Sequence, residues 1–154
     1  MSSQLEQIKE HAGPFLGAGE ELIAALTASP RGRSTAMAAG GAGSMIGYKV
    51  ASGEVRRGER VGLRVEPNMA VALTQQRLLT LKVKISMGGT ITGVEEVLSS
   101  VPLSEVTSVE AKRFGLGGIL VLSLRGGKPV KLECRVGRAR ELAEAFSRTA
   151  ARAA

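Results

Sequence analysis

The sequence predicts a mainly β protein with helices at its ends, a small antiparallel barrel or sandwich plugged by a C-terminal amphipathic helix. Three observations carry this. Leu79, Leu81, Val83 and Ile85 alternate with Thr80, Lys82 and Lys84, and successive strand side chains point to opposite faces, so this is a strand with one face buried and one wet. Val130, Leu132, Cys134 and Val136 alternate with Lys131, Glu133 and Arg135 in the same way. Downstream, Ala139, Leu142, Ala143, Phe146 and Ala150 recur at helical spacing, with Arg138, Arg140, Glu141, Glu144 and Arg148 mostly off that stripe. Arg138–Ala150 is therefore a helix with one face to bury.

From the start, Ser2–His11 reads as a short helix. Ser3-Gln4-Leu5-Glu6 is a capping-box pattern, in which the hydroxyl and carboxylate satisfy free amide groups at the helix start. Leu5, Ile8 and Ala12 form a narrow apolar stripe, and Gly13-Pro14 ends the helix. So short a helix is marginal alone, so this arm (residues 1–18) must dock on the barrel or on a partner, with Phe15 and Leu16 as anchors. Glu20–Thr27 is apolar enough for either a strand or a helix.

Residues 31–62 read as an insertion. Its first half is Gly, Ala, Ser and Met, with no charge between Arg33 and Lys49. The uncharged run of about 15 residues falls short of the ~20 a membrane-spanning helix needs. The favoured reading is a loop between the first two strands. The alternative is a segment that orders on a membrane or in a self-assembly contact, since Gly43-Ser44-Met45-Ile46-Gly47 has the spacing of close helix pairs. Ser52–Arg64 is basic and turn-rich and reads as a solvated connection, with Val61–Glu66 a short strand before the Pro67-Asn68 turn.

Met69–Thr74 is apolar on both faces, as in a strand covered on both sides. Thr74-Gln75-Gln76-Arg77 fits a short hairpin connection. Met87-Gly88-Gly89-Thr90 is a loop without the Lys-Ser/Thr of a phosphate-binding loop. Val94–Leu98, the alternation around Val109 and Ala111, and Ile119–Leu124 are further strands. Pro102 marks a strand boundary, and Gly126-Gly127 a turn.

The segments Leu73-Thr74-Gln75-Gln76-Arg77-Leu78-Leu79, Val101-Pro102-Leu103-Ser104-Glu105-Val106-Thr107-Ser108-Val109 and Gly19-Glu20-Glu21-Leu22-Ile23 resemble bacterial pleckstrin-homology-like (PH-like) domains, relatives of GRAM domains. That family shows an opening Gly-Glu, an early Thr-x-x-Arg-Leu hairpin and an Ile/Val-Pro-x-x-x-Ile/Val segment leading into a strand. The resemblance covers roughly Gly19–Ala150, broken at Arg31–Gly62. It implies a strand at Glu20–Thr27, a barrel of two near-orthogonal sheets with the C-terminal helix over one end, and no catalytic residues. In that family the C-terminal helix often carries Trp or another large aromatic, and Phe146 is the nearest substitute here.

At 154 residues the chain is expected to form one domain spanning residues 1–154, with an aliphatic core because aromatics are only 3%. A net charge of +7 favours anionic partners, with plain solubility as an equally weighted alternative. One cysteine cannot form an internal disulfide, which suits a reducing compartment, and Cys134 reads as a small core residue. The opening MSSQLEQIKE has no apolar core of a secretory signal. The expected location is cytoplasmic, peripheral to the inner membrane face if lipid is bound, without a transmembrane span.

Catalytic, metal and cofactor sites are not expected. One His and one Cys, far apart, cannot build a metal cluster. No Gly-x-Ser-x-Gly elbow presents a serine to His11, which reads as a solvated or capping residue. Glu95 and Glu96 point to opposite sides of a strand. The candidate contact site is a Gly-rich hairpin carrying Lys112, Arg113, Phe114 and Leu116. Cations there pair with phosphate while apolar tips insert or dock. The sequence slightly favours the plainer alternative, in which Phe114 and Leu116 fold back against the core. Lys82, Lys84, Lys131 and Arg135 join a basic surface only if their strands are neighbours. The expected function is a non-catalytic module binding a protein partner or acidic lipid headgroups. The alternatives are a self-assembling homo-oligomer and nonspecific nucleic-acid binding, the latter disfavoured because one Tyr and no Trp leave few stacking platforms.

Overall fold

The computed structural model describes residues 4–30, 52–53 and 55–153. Helix α1 (Gln4–Ala12) leads through a 3₁₀ turn at Gly13–Phe15 into β1 (Leu22–Pro30). Then come β2 (Met69–Thr74), β3 (Arg77–Ile85), β4 (Ile91–Pro102), a 3₁₀ turn at Leu103–Glu105, β5 (Val106–Phe114), β6 (Gly117–Leu124), β7 (Val130–Cys134) and helix α2 (Val136–Ala153). The seven strands are antiparallel, in the order β4-β3-β2-β1-β7-β6-β5. Strand β1 belongs to both halves. Leu22–Ala28 pairs with β2, while Ser29 and Pro30 pair with Glu133 and Leu132 of β7. This is the seven-strand-plus-helix arrangement the sequence predicts, consistent with a PH-like fold.

All seven strands turn side chains into one apolar core. It includes Leu26 of β1, Val71 of β2, Leu78 of β3, Val101 of β4, Val109 of β5, Leu120 and Leu122 of β6, and Leu132 of β7. Ala139, Leu142, Ala145 and Phe146 of α2 close it, so the predicted stripe gains Ala145.

A second cluster lies outside the barrel wall. Ile8 and Ala12 of α1 pack on Ala25, Ala70, Ala72, Leu79, Leu81 and Val83. The small side chains at 25, 70 and 72 let the helix come close to the sheet. Strand β2 is thus buried on both faces, as its sequence predicts. The alternation in β3 holds in part: Leu79, Leu81 and Val83 are buried, though against α1 and not in the barrel interior, while Thr80, expected on the wet face, is buried and Ile85, expected on the buried face, is exposed. The arm docks on the barrel through polar contacts as well. Gln4 donates to Thr27 Oγ1 (2.8 Å) and accepts from Thr27 N (3.0 Å), and Ile91 N donates to Gln7 Oε1 (3.0 Å). Ser3 of the capping box, residues 31–51 and residue 54 lie outside the described residues.

The end of the insertion and the residues just after it correct the expectation of a solvated connection. Residues 55–60 are helical, no strand forms over 61–66, and Leu63 and Val65 are core residues. Val55 and Val61 pack against the same core. Arg64 O accepts from Thr80 Oγ1 (3.0 Å), and Arg64 N donates to Ser99 Oγ (3.3 Å), tying the segment to β3 and β4. The reason is apolar: Val61, Leu63 and Val65 recur at period two and find an unfilled part of the barrel. The arginines around them masked that signal.

Candidate functional site

The Lys112–Leu116 hairpin forms where the sequence places it. Phe114 pairs with Gly117, leaving Gly115 and Leu116 as a two-residue turn. Gly115 has φ +58°, and among the described residues no non-glycine has positive φ. Positive φ at the first central position alone is the pattern of a type II′ turn, which needs Gly there. The turn throws Leu116 fully into solvent and leaves Phe114 58% exposed, so the favoured reading of a satellite folded onto the core is overturned. Strand β6 is already filled on its inner side by Leu120 and Leu122, and a two-residue turn is too tight for Leu116 to reach back.

Register places Lys112 beside Ile119 and Val121 beside Lys131. These residues, with Arg113 and Phe114, line a recess of about 170 Å³. Ile119 and Val121 are buried although they face outward from the barrel, because long side chains lay their alkyl stems over them. The recess therefore has an apolar floor with cations at its rim.

The other strand cations divide. Lys131 joins this recess, but β3 is separated from β7 by β2 and β1. Lys82 and Lys84 instead approach Glu95, at 3.8 and 4.0 Å. Arg135 lines a recess of about 350 Å³ that also takes in Ile85, at the foot of the β3–β4 turn. Sequence reasoning missed Met87 at that turn. It is fully exposed, and Ile85 is 40% exposed. Arg135 follows Cys134, which pairs with Gly118, so this recess reaches from the foot of the β3–β4 tip towards the β5–β6 tip. Four of the five exposed large hydrophobic residues among those described sit at these two tips. The signal in the sequence was available: Ile85 and Met87 carry the period-two apolar run of β3 into the turn.

The family-like motif residues meet in a buried ion pair. Arg77 Nε and one terminal nitrogen each lie 2.8 Å from a Glu20 oxygen, a two-pronged contact. The same guanidinium donates to Phe15 O (3.1 Å) and Ser100 Oγ (3.0 Å). Thr74 donates to Glu20 (2.8 Å), and its hydroxyl accepts from the Gln76 and Arg77 amides (both 3.1 Å), bracing the β2–β3 turn. The Arg77 guanidinium holds the Glu20 carboxyl down at about 2, against the opposing effect of burial. Glu20 raises the Arg77 pKa in turn. These residues brace the structure, joining the opening loop to the hairpin.

Burial pushes the Cys134 thiol up to about 11, which leaves little thiolate near neutral pH. Among the described residues no group of three His, Cys, Asp or Glu side chains gathers in a metal-binding arrangement. Among them, too, no helix is long and apolar enough to cross a membrane.

No protein-family model matches the chain, and no curated protein sequence matches it. Among solved structures, the chain is similar to the crystal structure of a DUF1696 family protein with a pleckstrin-homology domain from Shewanella loihica PV-4. Identity is 18%, the match covers 94% of this chain and 92% of that one, and the TM-score is 0.48.

Proposed function

We propose that this chain is a non-catalytic interaction module that docks on an acidic surface, either acidic lipid at the cytoplasmic membrane face or an acidic protein partner. The hairpin of Lys112, Arg113, Phe114 and Leu116 is its contact. The observation that carries this reading is the exposure of Phe114 and Leu116 beside two cations, in a turn whose geometry keeps them out of the core. An apolar side chain held in water gains about 25 cal/mol for each Å² it buries on a partner. Neighbouring cations add attraction to acidic headgroups or carboxylates. Ile85, which lines the recess shared with Arg135, and exposed Met87 at the β3–β4 turn add apolar surface to the contact.

Co-sedimentation with neutral and with acidic liposomes, each at low and moderate salt, tests the lipid form of the reading. Binding to acidic liposomes alone that survives moderate salt is expected if lipid is the partner, because the apolar tips are not screened. The double variant Lys112→Glu/Arg113→Glu should then lose binding. If it leaves both liposome binding and captured protein partners unchanged, the hairpin is not the contact.

A further inference from the structure

We propose that β5 is an interface strand, whose free edge pairs antiparallel with β5 of a second copy of this chain. Strands β4 and β5 end the order β4-β3-β2-β1-β7-β6-β5, so among the described residues each pairs along one edge only. An unpaired edge presents a row of free N–H and C=O groups, and proteins that stay monomeric blunt it. Strand β4 is blunted in this way. Its pairing with β3 slips register between Thr80 and Leu81, between Lys82 and Val83, and between Lys84 and Ile85. Strand β5 slips only between Val106 and Ser108, and then runs regularly to Phe114. Helix α2 packs on β5 from the core side, where Val109 and Ala111 lie, and Glu110, Lys112 and Arg113 remain exposed. A lysine on an edge repels a second strand unless that strand brings a carboxylate opposite it.

The β5–β6 turn fixes which backbone groups are free. Phe114 and Gly117 close a two-residue hairpin, so they exchange hydrogen bonds, and bonded and non-bonded pairs alternate from there. Lys112–Ile119 and Glu110–Val121 are thus bonded pairs, while Arg113–Gly118, Ala111–Leu120 and Val109–Leu122 are not. The N–H and C=O groups of Val109, Ala111 and Arg113 therefore point to the free edge. One two-fold register uses them all. With Ala111 opposite the second copy's Ala111, Val109 meets the second copy's Arg113, and roughly six hydrogen bonds form. Glu110 then lies opposite the second copy's Lys112, and Lys112 opposite its Glu110. These are non-bonded positions, where facing side chains come closest. Among the described residues neither Glu110 nor Lys112 forms an ion pair within the chain. The neighbouring registers set Glu110 against Glu110 or Lys112 against Lys112. Those beyond them run into the irregularity at Val106–Ser108 or set Arg113 against Arg113. Charge and backbone thus select the same pairing.

Sedimentation equilibrium of the full chain, from micromolar to near-millimolar concentration, tests this. A reversible monomer–dimer equilibrium is expected. Glu110→Lys and Lys112→Glu should each weaken it by roughly tenfold or more, because both cross-strand pairs turn repulsive. An equimolar mixture of the two variants should restore it, since each supplies the charge the other lacks. Ala111→Pro removes the central edge donor but no β5–β6 bond, so it should abolish the dimer while a urea titration shows a folded monomer. The charge variants alter exposed side chains only, so the mixing result stands whatever proline does to folding. Leu116→Ala should leave the dimer unchanged, which separates the edge from the hairpin tip. A wild type that stays monomeric throughout, a mixture that associates no better than either variant alone, or a dimer that survives Ala111→Pro would overturn the pairing. A dimer lost on Leu116→Ala would also overturn it, because the copies would then be joined through their tips.

Discussion

Glu20 and Arg77 lie 57 residues apart in the chain and share a two-pronged contact, so the pair couples the start of the barrel to its first hairpin. Glu20 is 7% exposed. Its carboxyl is displaced from 4.5 to about 2, which corresponds to roughly 3 kcal/mol of stability when it is ionised. A carboxyl with a depressed folded-state pKa stabilises the fold above its unfolded pKa, and the effect is lost as pH falls through the folded value. Urea unfolding of wild type and Glu20→Gln should therefore differ by about 3 kcal/mol or more at pH 7, since Arg77 also loses its partner. The gap should shrink from near pH 4.5 down to pH 2. A gap that stays constant over that window would mean the ion pair is not what stabilises the loop. Cys134 gives a second test at this scale. With its thiol near 11, only about one molecule in a thousand carries a thiolate at pH 8. Reaction with a thiol reagent should be slow in the folded protein and speed up sharply on unfolding.

Helix α1 shows what a local pattern reveals and what it leaves out. Its stripe of Leu5, Ile8 and Ala12 and the alternation of β3 were both legible, because each depends on period alone. Their meeting was not: nothing within β3 says whether Leu79, Leu81 and Val83 face the barrel interior or an external helix. That depends on packing between segments some 70 residues apart. The same limit explains residues 55–65, where period-two apolar residues were outweighed by the flanking arginines and glycines. The candidate hairpin was legible as residues, while its exposure followed from a turn too short to fold back. Ile8 is fully buried between α1 and the sheet. Ile8→Ala should therefore cost about 2–5 kcal/mol in urea unfolding, far more than a nine-residue helix contributes alone. A loss under 0.5 kcal/mol would mean the arm is not docked in solution.

Across the whole molecule, apolar side chains are sorted between two jobs. Leu63, carried in by the segment after the insertion, is fully buried in the barrel core, whereas Leu116 is fully exposed at the β5–β6 tip. The order β4-β3-β2-β1-β7-β6-β5 puts the Gly115–Leu116 turn and the β6–β7 turn at opposite ends of β6. The segment bearing Leu63 packs against the latter through Val61 and Gly127. The core is thus completed at one end while the other keeps unsatisfied apolar surface, and equal truncations should separate the two. Leu63→Ala removes packing from a closed core and should lower stability by about 2–5 kcal/mol. Leu116→Ala removes no contact within the fold, so stability should stay within about 0.5 kcal/mol of wild type. If the tip docks on acidic liposomes, Leu116→Ala should weaken that binding while Leu63→Ala, below its unfolding transition, should not. Parallel urea titrations and liposome co-sedimentation of the two variants check this. Loss of stability on truncating Leu116 would show that the tip packs against the chain, and would remove the physical reason for treating it as a contact surface.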